Sequence, residues 1–314
     1  MTVFDREQRT HISRVQNYIE ENLHLKLTLA HLAKVSTYSP YHFHRLFSEF
    51  TGETPADYVK RHRLEKAAHT LIYEPEKPVT EIAIDCGFSS LSYFTYTFHE
   101  TFHHSPKAWR EGAYLEKFPR VYLDSKKSKQ DSSKRKEENQ KREYTEFQWV
   151  DLSKVKTVVL PERAIVLKHR LGEYSKEIEQ TWESIFRFCH ARDLLHEKTM
   201  MIGVPRNNPY ITPAEKCRYD CCISIDDFGS IGDGAEKSAF PGGKYAVYEF
   251  DEPVDYSNRK LLIECYSELY SFWLPKSGYR YLGNPIELVQ IVPRAGTFEL
   301  DCKITAIALE IEPK

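Results

Sequence analysis

The sequence predicts a multidomain chain: an all-α N-terminal domain made of two helix-turn-helix units, then an α+β C-terminal domain made of two strand-helix-strand-strand repeats on an antiparallel sheet. Three observations predict it. Two helical segments repeat at an offset of 51 residues within the first 115 or so. A weaker duplication runs through 155–314 at an offset of about 81. Between them, 124–143 (DSKKSKQDSSKRKEENQKRE) holds no aromatic and no aliphatic residue, so it has nothing to bury and reads as a flexible linker. The expected domains are 1–115 and 144–314, joined by 116–143. The Lys/Arg run in the linker reads first as solubilising and second as help in holding phosphates.

The N-terminal duplication pairs Ser39 with Ser90, Phe43 with Phe94, Phe47 with Phe98, Pro55 with Pro106 and Tyr58 with Trp109. A repeat of this length points to duplicated helical units. In the first unit, Thr28 caps a helix carrying Leu29, Leu32 and Ala33, and a turn follows at Ser36–Tyr38. Ser39 then caps a second helix with Pro40 at its first position. Phe43, Leu46, Phe47 and Phe50 form that helix's apolar stripe at spacings of three and four. In the second unit, Thr80 is expected to open the helix of Ile82 and Ala83. Gly87 sits in a turn that needs positive φ, and Phe94, Phe98 and Phe102 line the next helix. Ala33 and Ala83 are small where two helices cross closely. Thr54-Pro55 starts and Glu74-Pro75 stops a connecting helix of about nineteen residues, roughly 28 Å long. That length suits two second helices held about one DNA turn, ~34 Å, apart.

These residues resemble the DNA-binding domain of the AraC/XylS family. The matching pieces are LAKVSTYSPYHFHRLFSEFTGETP (Leu32–Pro55) and IAIDCGFSSLSYFTYTFHETFHHSP (Ile82–Pro106), then Trp109-Arg110. The resemblance implies a bacterial transcription regulator whose two second helices read adjacent major grooves of double-stranded DNA. The DNA-facing residues it implies are Ser39, Tyr41, His42, His44 and Arg45 in the first unit, and Ser90, Ser92, Tyr93 and Tyr96 in the second. Arg45 suits bidentate contact with guanine. Tyr96 departs from the family pattern, where Arg is common, and a phenol there suits phosphate or methyl contacts. RNA polymerase is an expected partner, and the chain is expected to act as a monomer on DNA.

Composition bounds the alternatives. The chain has 314 residues, 41% apolar and 13% aromatic, enough for two packed cores. Met1–His11 lacks the apolar core of a signal peptide, and no run of eighteen apolar residues suggests a membrane span. Seven cysteines, an odd number, read as free thiols in a cytoplasmic setting. Residues 1–123 carry 15 Lys+Arg against 15 Asp+Glu, 124–143 carry 8 against 5, and 144–314 carry 21 against 26. The N-terminal part therefore lacks a strong basic footprint, which predicts few phosphate contacts and a shallow salt dependence.

In the C-terminal half, Ala164–Arg170 corresponds to Tyr245–Asp251, and the helix-like run Ile178–Leu195 to Lys260–Leu274. Ile202–Pro205 is matched with Leu282–Pro285, and Asp220-Cys221 with Asp301-Cys302. Two strand-helix-strand-strand halves make an antiparallel sheet with helices on one face, and their seam is a natural ligand cleft. This half resembles the GyrI-like (gyrase-inhibitor-like) effector-binding domain. The pieces that carry the likeness are HRLGEYSKEIEQTWESI (His169–Ile185), EKCRYDCCISI (Glu215–Ile225), FPGGKYAVYEF (Phe240–Phe250), LYSFWLPKSGY (Leu269–Tyr279) and NPIELVQIVP (Asn284–Pro293). The resemblance implies a small lipophilic or cationic effector, as in a multidrug response, bound by Glu287 with Trp273, Tyr270 and Tyr174 as aromatic walls. A carboxylate against aromatic faces suits a desolvated cation. Two departures stand out: EFDEPVDY replaces a usual Gly-Tyr, and Val289 replaces a common Tyr.

No catalytic residue, cofactor or metal site is expected. His42 and His44, two apart on a helix, point to different faces. Cys217, Cys221 and Cys222 lack a fourth ligand, and adjacent strand residues face opposite ways. The alternative readings of the C-terminal half are a hydrolase of small electrophiles with Glu287 as base and a Tyr as acid, or a module that only sequesters a ligand.

Overall fold

The computed structural model describes residues 5–117, 150–174, 177–228, 231, 235–293 and 300–314. The chain divides into two compact units, 1–117 and 118–314. Residues 118–149, which hold most of the expected linker at 116–143, lie outside the described residues.

The first unit is helical. Its elements are α1 (Arg6–Glu21), α2 (Leu29–Ser36), α3 (Pro40–Thr51), α4 (Pro55–Tyr73), α5 (Val79–Asp85), α6 (Leu91–Phe102) and α7 (Pro106–Arg110). Capping chemistry sets most of the starts. Asp5 and Gln8 close a capping box on α1. Thr28, Ser39, Thr54, Ser90 and Ser105 each accept a backbone N–H from the first turn of the helix that follows. Helix α5 differs from the expectation that Thr80 opens it. It begins at Val79 after Pro78, which gives no side-chain cap, because proline's fixed φ is itself compatible with a helix start.

The long helix α4, 19 residues as its flanking signals predict, packs against α3, α5, α6 and α7 and so ties the two helix-turn-helix units together. The Trp109 indole N–H donates to the Ala68 carbonyl at 3.1 Å. The Arg63 guanidinium donates to the Leu23 and Leu25 carbonyls. Phe43, Phe47, Phe94 and Phe98 are all fully buried.

The turn between α5 and α6 depends on Gly87. Its φ is +80°, and a Cβ there would lie 2.1 Å from the Leu23 carbonyl oxygen and 2.8 Å from the Arg63 guanidinium. Gly52, which ends α3, also has positive φ, but a Cβ there would meet nothing within 4 Å.

The second unit is an antiparallel sheet with helices. Its strands are β1 (Lys156–Leu160), β2 (Arg163–Leu171), β3 (Met201–Pro205), β4 (Arg218–Ile225), β5 (Glu236–Phe240), β6 (Gly243–Asp255), β7 (Tyr279–Tyr281), β8 (Ile286–Pro293) and β9 (Leu300–Pro313). The helices are α8 (Glu177–His190) and α9 (Arg259–Glu268), the latter continuing through a π turn at Leu269–Trp273. The sheet order is β1-β6-β9-β8-β3-β4-β2-β5, with β7 added on β9. Each half contributes strand, helix, strand, strand (β2-α8-β3-β4 and β6-α9-β8-β9), to which β1, β5 and β7 are added, and β3 meets β8 at the seam.

The duplication is less regular than an offset of about 81 implies. The strand that faces β3 is β8, which begins at Ile286. The pairing of Ile202–Pro205 with Leu282–Pro285 is therefore corrected: 282–285 precede β8, which starts at Ile286, 85 residues after β3 starts at Met201.

One face of the sheet buries Ile165, Leu167, Ile202, Val204, Cys222, Tyr245, Val247, Ile286, Ala306 and Ala308 in a single apolar cluster. The ends of the sheet curl around it. A Cβ on Gly242, between β5 and β6, would lie 2.6 Å from backbone atoms of Leu160, which ends β1, and of Glu162, just before β2. Strand residues alternate faces, so Gly203, Tyr219, Cys221 and Glu287 point to the opposite face. There α8 packs on β2, β4 and β9.

The two glycines give a direct contrast. Gly52→Ala is expected to cost about 1 kcal/mol, the ordinary penalty for a Cβ at positive φ. Gly87→Ala adds a clash with backbone and is expected to cost at least about 2 kcal/mol more. Urea unfolding of the two variants checks the order, and equal costs would contradict it.

Candidate nucleic-acid interface and buried carboxylate site

The second helix of each helix-turn-helix unit presents two chemically distinct sides. On α3 the Phe43, Leu46 and Phe47 row is buried. Tyr41 is 82% exposed, and His44 and Arg45 are also exposed. The Arg45 guanidinium donates to Glu49 one turn on, at 3.3 Å. Both ends of this pair reach solvent, so it is weak and open to exchange for another partner. His42 is half-buried, with its ring edge-on to Tyr38 at 4.9 Å, which places it nearer the core than Tyr41 or His44.

On α6, Phe94, Thr97, Phe98 and Phe102 are buried. Ser92 is exposed, as are Tyr93 (50%) and Tyr96 (64%). Ser39 and Ser90 use their hydroxyl oxygens to accept the His42 and Tyr93 backbone N–H groups. Their first role is to start the helices that carry the exposed residues.

In the second unit, Glu287 on β8 is 4% exposed. The Tyr219 hydroxyl donates to its Oε2 at 2.5 Å, and the Tyr266 hydroxyl to its Oε1 at 2.8 Å. Such short contacts suit O–H donors on a carboxylate. The network extends: the Tyr219 and Tyr256 hydroxyls lie 2.8 Å apart, and the Trp182 indole N–H donates to Tyr256. Burial, followed by the Glu287 charge, pushes the Tyr219, Tyr256 and Tyr266 hydroxyls well above the usual phenol range. They stay protonated and available as donors. Tyr266, on α9, is half-buried, whereas Tyr219, Tyr256 and Trp182 are buried. The network approaches the surface on the α9 side.

The expected aromatic walls each pack on another tyrosine ring. The Tyr174 ring packs edge-on against Tyr219 at 5.7 Å, and its hydroxyl donates to the Arg218 and Asn207 carbonyls. Tyr270 packs against Tyr281 at 5.2 Å, and Trp273 stacks over Tyr279 at 6.4 Å. Tyr219 and Tyr266, which donate hydroxyls to Glu287, were not singled out in the sequence. A signal for Tyr219 was present: Gly203 interrupts a strand, which marks a close approach. A Cβ on Gly203 would lie 1.9 Å from the Tyr219 hydroxyl oxygen, so only glycine lets that phenol pass to Glu287.

On the other face of the sheet, Asp220 is fully buried between Arg218 and Arg206, each at 2.7 Å. Burial alone would raise its carboxyl, but the two guanidiniums outweigh burial and hold it at about 2. This pairing anchors β4, the strand that carries Tyr219. All seven cysteines are buried and free.

The Gly203–Tyr219 contact makes a sharp prediction. Gly203→Ala is expected to displace the phenol and leave Glu287 short of a donor, costing about 2–4 kcal/mol. In a Tyr219→Phe background the same change is expected to cost less, with a coupling of at least about 1 kcal/mol in a double-mutant cycle. Additive effects would mean that the two side chains do not meet.

Comparison with known proteins agrees with this division. A helix-turn-helix domain family model matches residues 32–112, and a GyrI-like small molecule binding domain model matches residues 153–304. LumQ of Photobacterium leiognathi, named a probable transcriptional regulator, is 36% identical over 35% of this chain and 45% of its own length. YbfP of Bacillus subtilis, an uncharacterized HTH-type transcriptional regulator, is 34% identical over 32% of this chain and 33% of its own. The chain spans less than half the length of either curated relative. The crystal structure of the DNA-binding domain of AdpA, a global transcriptional factor, in complex with a target DNA, is 28% identical over 35% of this chain and 96% of that one, with a TM-score of 0.32. The chain carries an AraC-type helix-turn-helix domain followed by a GyrI-like small molecule binding domain.

Proposed function

We propose that this protein is a cytoplasmic transcription regulator that reads two successive major grooves of double-stranded DNA and whose activity responds to a small lipophilic cation bound near Glu287. The observation that carries the DNA reading is the two-sidedness of α3 and α6. Helix α3 buries Phe43 and Phe47 completely and exposes Tyr41, His44 and Arg45; α6 buries Phe94 and Phe98 completely and exposes Ser92, Tyr93 and Tyr96. A helix held this way by its partners is what a major groove accepts. RNA polymerase is the proposed protein partner, and one chain is proposed to occupy one site.

The ligand reading rests on Glu287. A buried carboxylate with two phenol donors and a surround of tyrosine rings favours a cation that has shed its water. Ligand binding acts by differential affinity for two states of the regulator.

A hydrolytic reading has one observation in its favour: Glu287 meets two tyrosine hydroxyls, a base beside acids. Turnover separates the readings, since an enzyme consumes the compound and a sensor returns it unchanged. We favour the sensor, in line with the regulator names of the relatives.

Selection of bound sequences from a random duplex pool is expected to yield a non-palindromic site near ~20 bp with two contacts about one turn apart. Arg45→Ala is expected to cost about 1–3 kcal/mol at a single position of one half-site. A palindrome bound by a dimer, or equal weakening on every sequence, would contradict these assignments. For the second unit, tetraphenylphosphonium is expected to raise the unfolding midpoint of the full chain, and Glu287→Gln to abolish that rise. A rise that survives the substitution places the cation elsewhere.

A further inference from the structure

We propose that α6 reads its half-site through the C5 methyl groups of thymine, with Tyr93 and Tyr96 as specificity-determining residues. The proposal rests on the DNA reading above and adds the identity of the bases that one helix prefers.

The argument starts from what α6 lacks. Its sequence, LSYFTYTFHETF, contains no Lys, Arg, Asn or Gln. The bidentate contacts that identify guanine need Arg or Lys, and those that identify adenine need Asn or Gln. Its acidic residue, Glu100, lies in the third turn, whereas the N-terminal part of a reading helix is what reaches base edges. A cytosine contact from Glu100 is therefore disfavoured. The first unit differs, since α3 carries Arg45 with Glu49.

What α6 offers instead is apolar surface. Leu91, Tyr93 and Tyr96 are 43%, 50% and 64% exposed, although their neighbours Phe94 and Phe98 are fully buried. Tyr93 and Tyr96 are three residues apart, hence side by side on the helix surface. The Tyr93 ring is steadied by Phe88 beneath it at 6.2 Å. Thr97 bonds its hydroxyl to the Tyr93 carbonyl, and Ser92 beside them is exposed. In the major groove the apolar group on display is the thymine methyl. A surface of ring carbons matches that group and gains by covering it.

Tyrosine hydroxyls also reach phosphates, but such contacts carry no base preference. The two possibilities therefore separate cleanly.

The test uses the full-length protein and the duplex it selects. Each thymine of the α6 half-site is replaced by deoxyuridine, which removes the methyl and keeps the base pair. The expected loss is about fourfold in affinity per contacted thymine, equivalent to ~0.8 kcal/mol. The same replacement in the half-site read by α3 is expected to change affinity less. Tyr96→Arg, at a position 64% exposed and so tolerant of change, is expected to shift one selected position to guanine and to remove the deoxyuridine effect there. A selected sequence that binds equally well with deoxyuridine, or an α6 half-site without thymine, overturns methyl reading and leaves DNA reading intact. A pool from which no sequence is enriched overturns the DNA reading itself, and this proposal with it.

Discussion

The first unit depends on the mismatch between the helical period and a flat core. A helix of 3.6 residues per turn buries one stripe and must display the opposite one. Phe43 and Phe47 in α3, and Phe94 and Phe98 in α6, are fully buried, which fixes the rotation of both helices about their axes. Tyr41, His44, Arg45, Tyr93 and Tyr96 then have nowhere to go but outward. Their exposure follows from packing elsewhere, and so does the rigidity with which they are presented. Helix α4 extends that logic to the pair, since Trp109 and Arg63 bond to backbone carbonyls and not to mobile side chains.

The second unit is governed by the cost of a buried carboxylate. Glu287 lies at the seam of two repeats, opposite Gly203. Its donors are phenols delivered from β4 and α9. That supply requires space, and Gly203 provides it by having no side chain opposite Glu287. The ion pairs of Asp220 with Arg218 and Arg206 hold the next residue of the same strand on the far face. The site is thus the product of two faces of one strand, one polar and bonded inward, one aromatic and bonded toward the seam.

Much of this was legible in sequence because it rests on local chemistry. Ser39, Ser90, Thr54 and Pro55 announce helix starts through capping and fixed φ, and the structure places them there. Gly87 announces a turn, and its φ of +80° follows. The start of α5 falls one residue before Thr80, at Val79, and its N-cap Pro78 makes no side-chain cap bond. The second strand of the second repeat was misplaced because register depends on the partner strand, which no local pattern records. Glu287 was singled out, but Tyr219 and Tyr266, which donate to it, were not. They come from segments 68 and 21 residues away, and nothing in the spacing tells a core tyrosine from one that bonds a carboxylate.

The most direct test of the central claim is hydroxyl-radical footprinting of the full-length protein on its selected duplex. Two aromatic-backed helices displayed side by side predict two protected patches on one face of the DNA, about one helical turn apart, from a single bound chain. Patches on opposite faces, or a symmetric pattern that appears only when two chains bind, would contradict it.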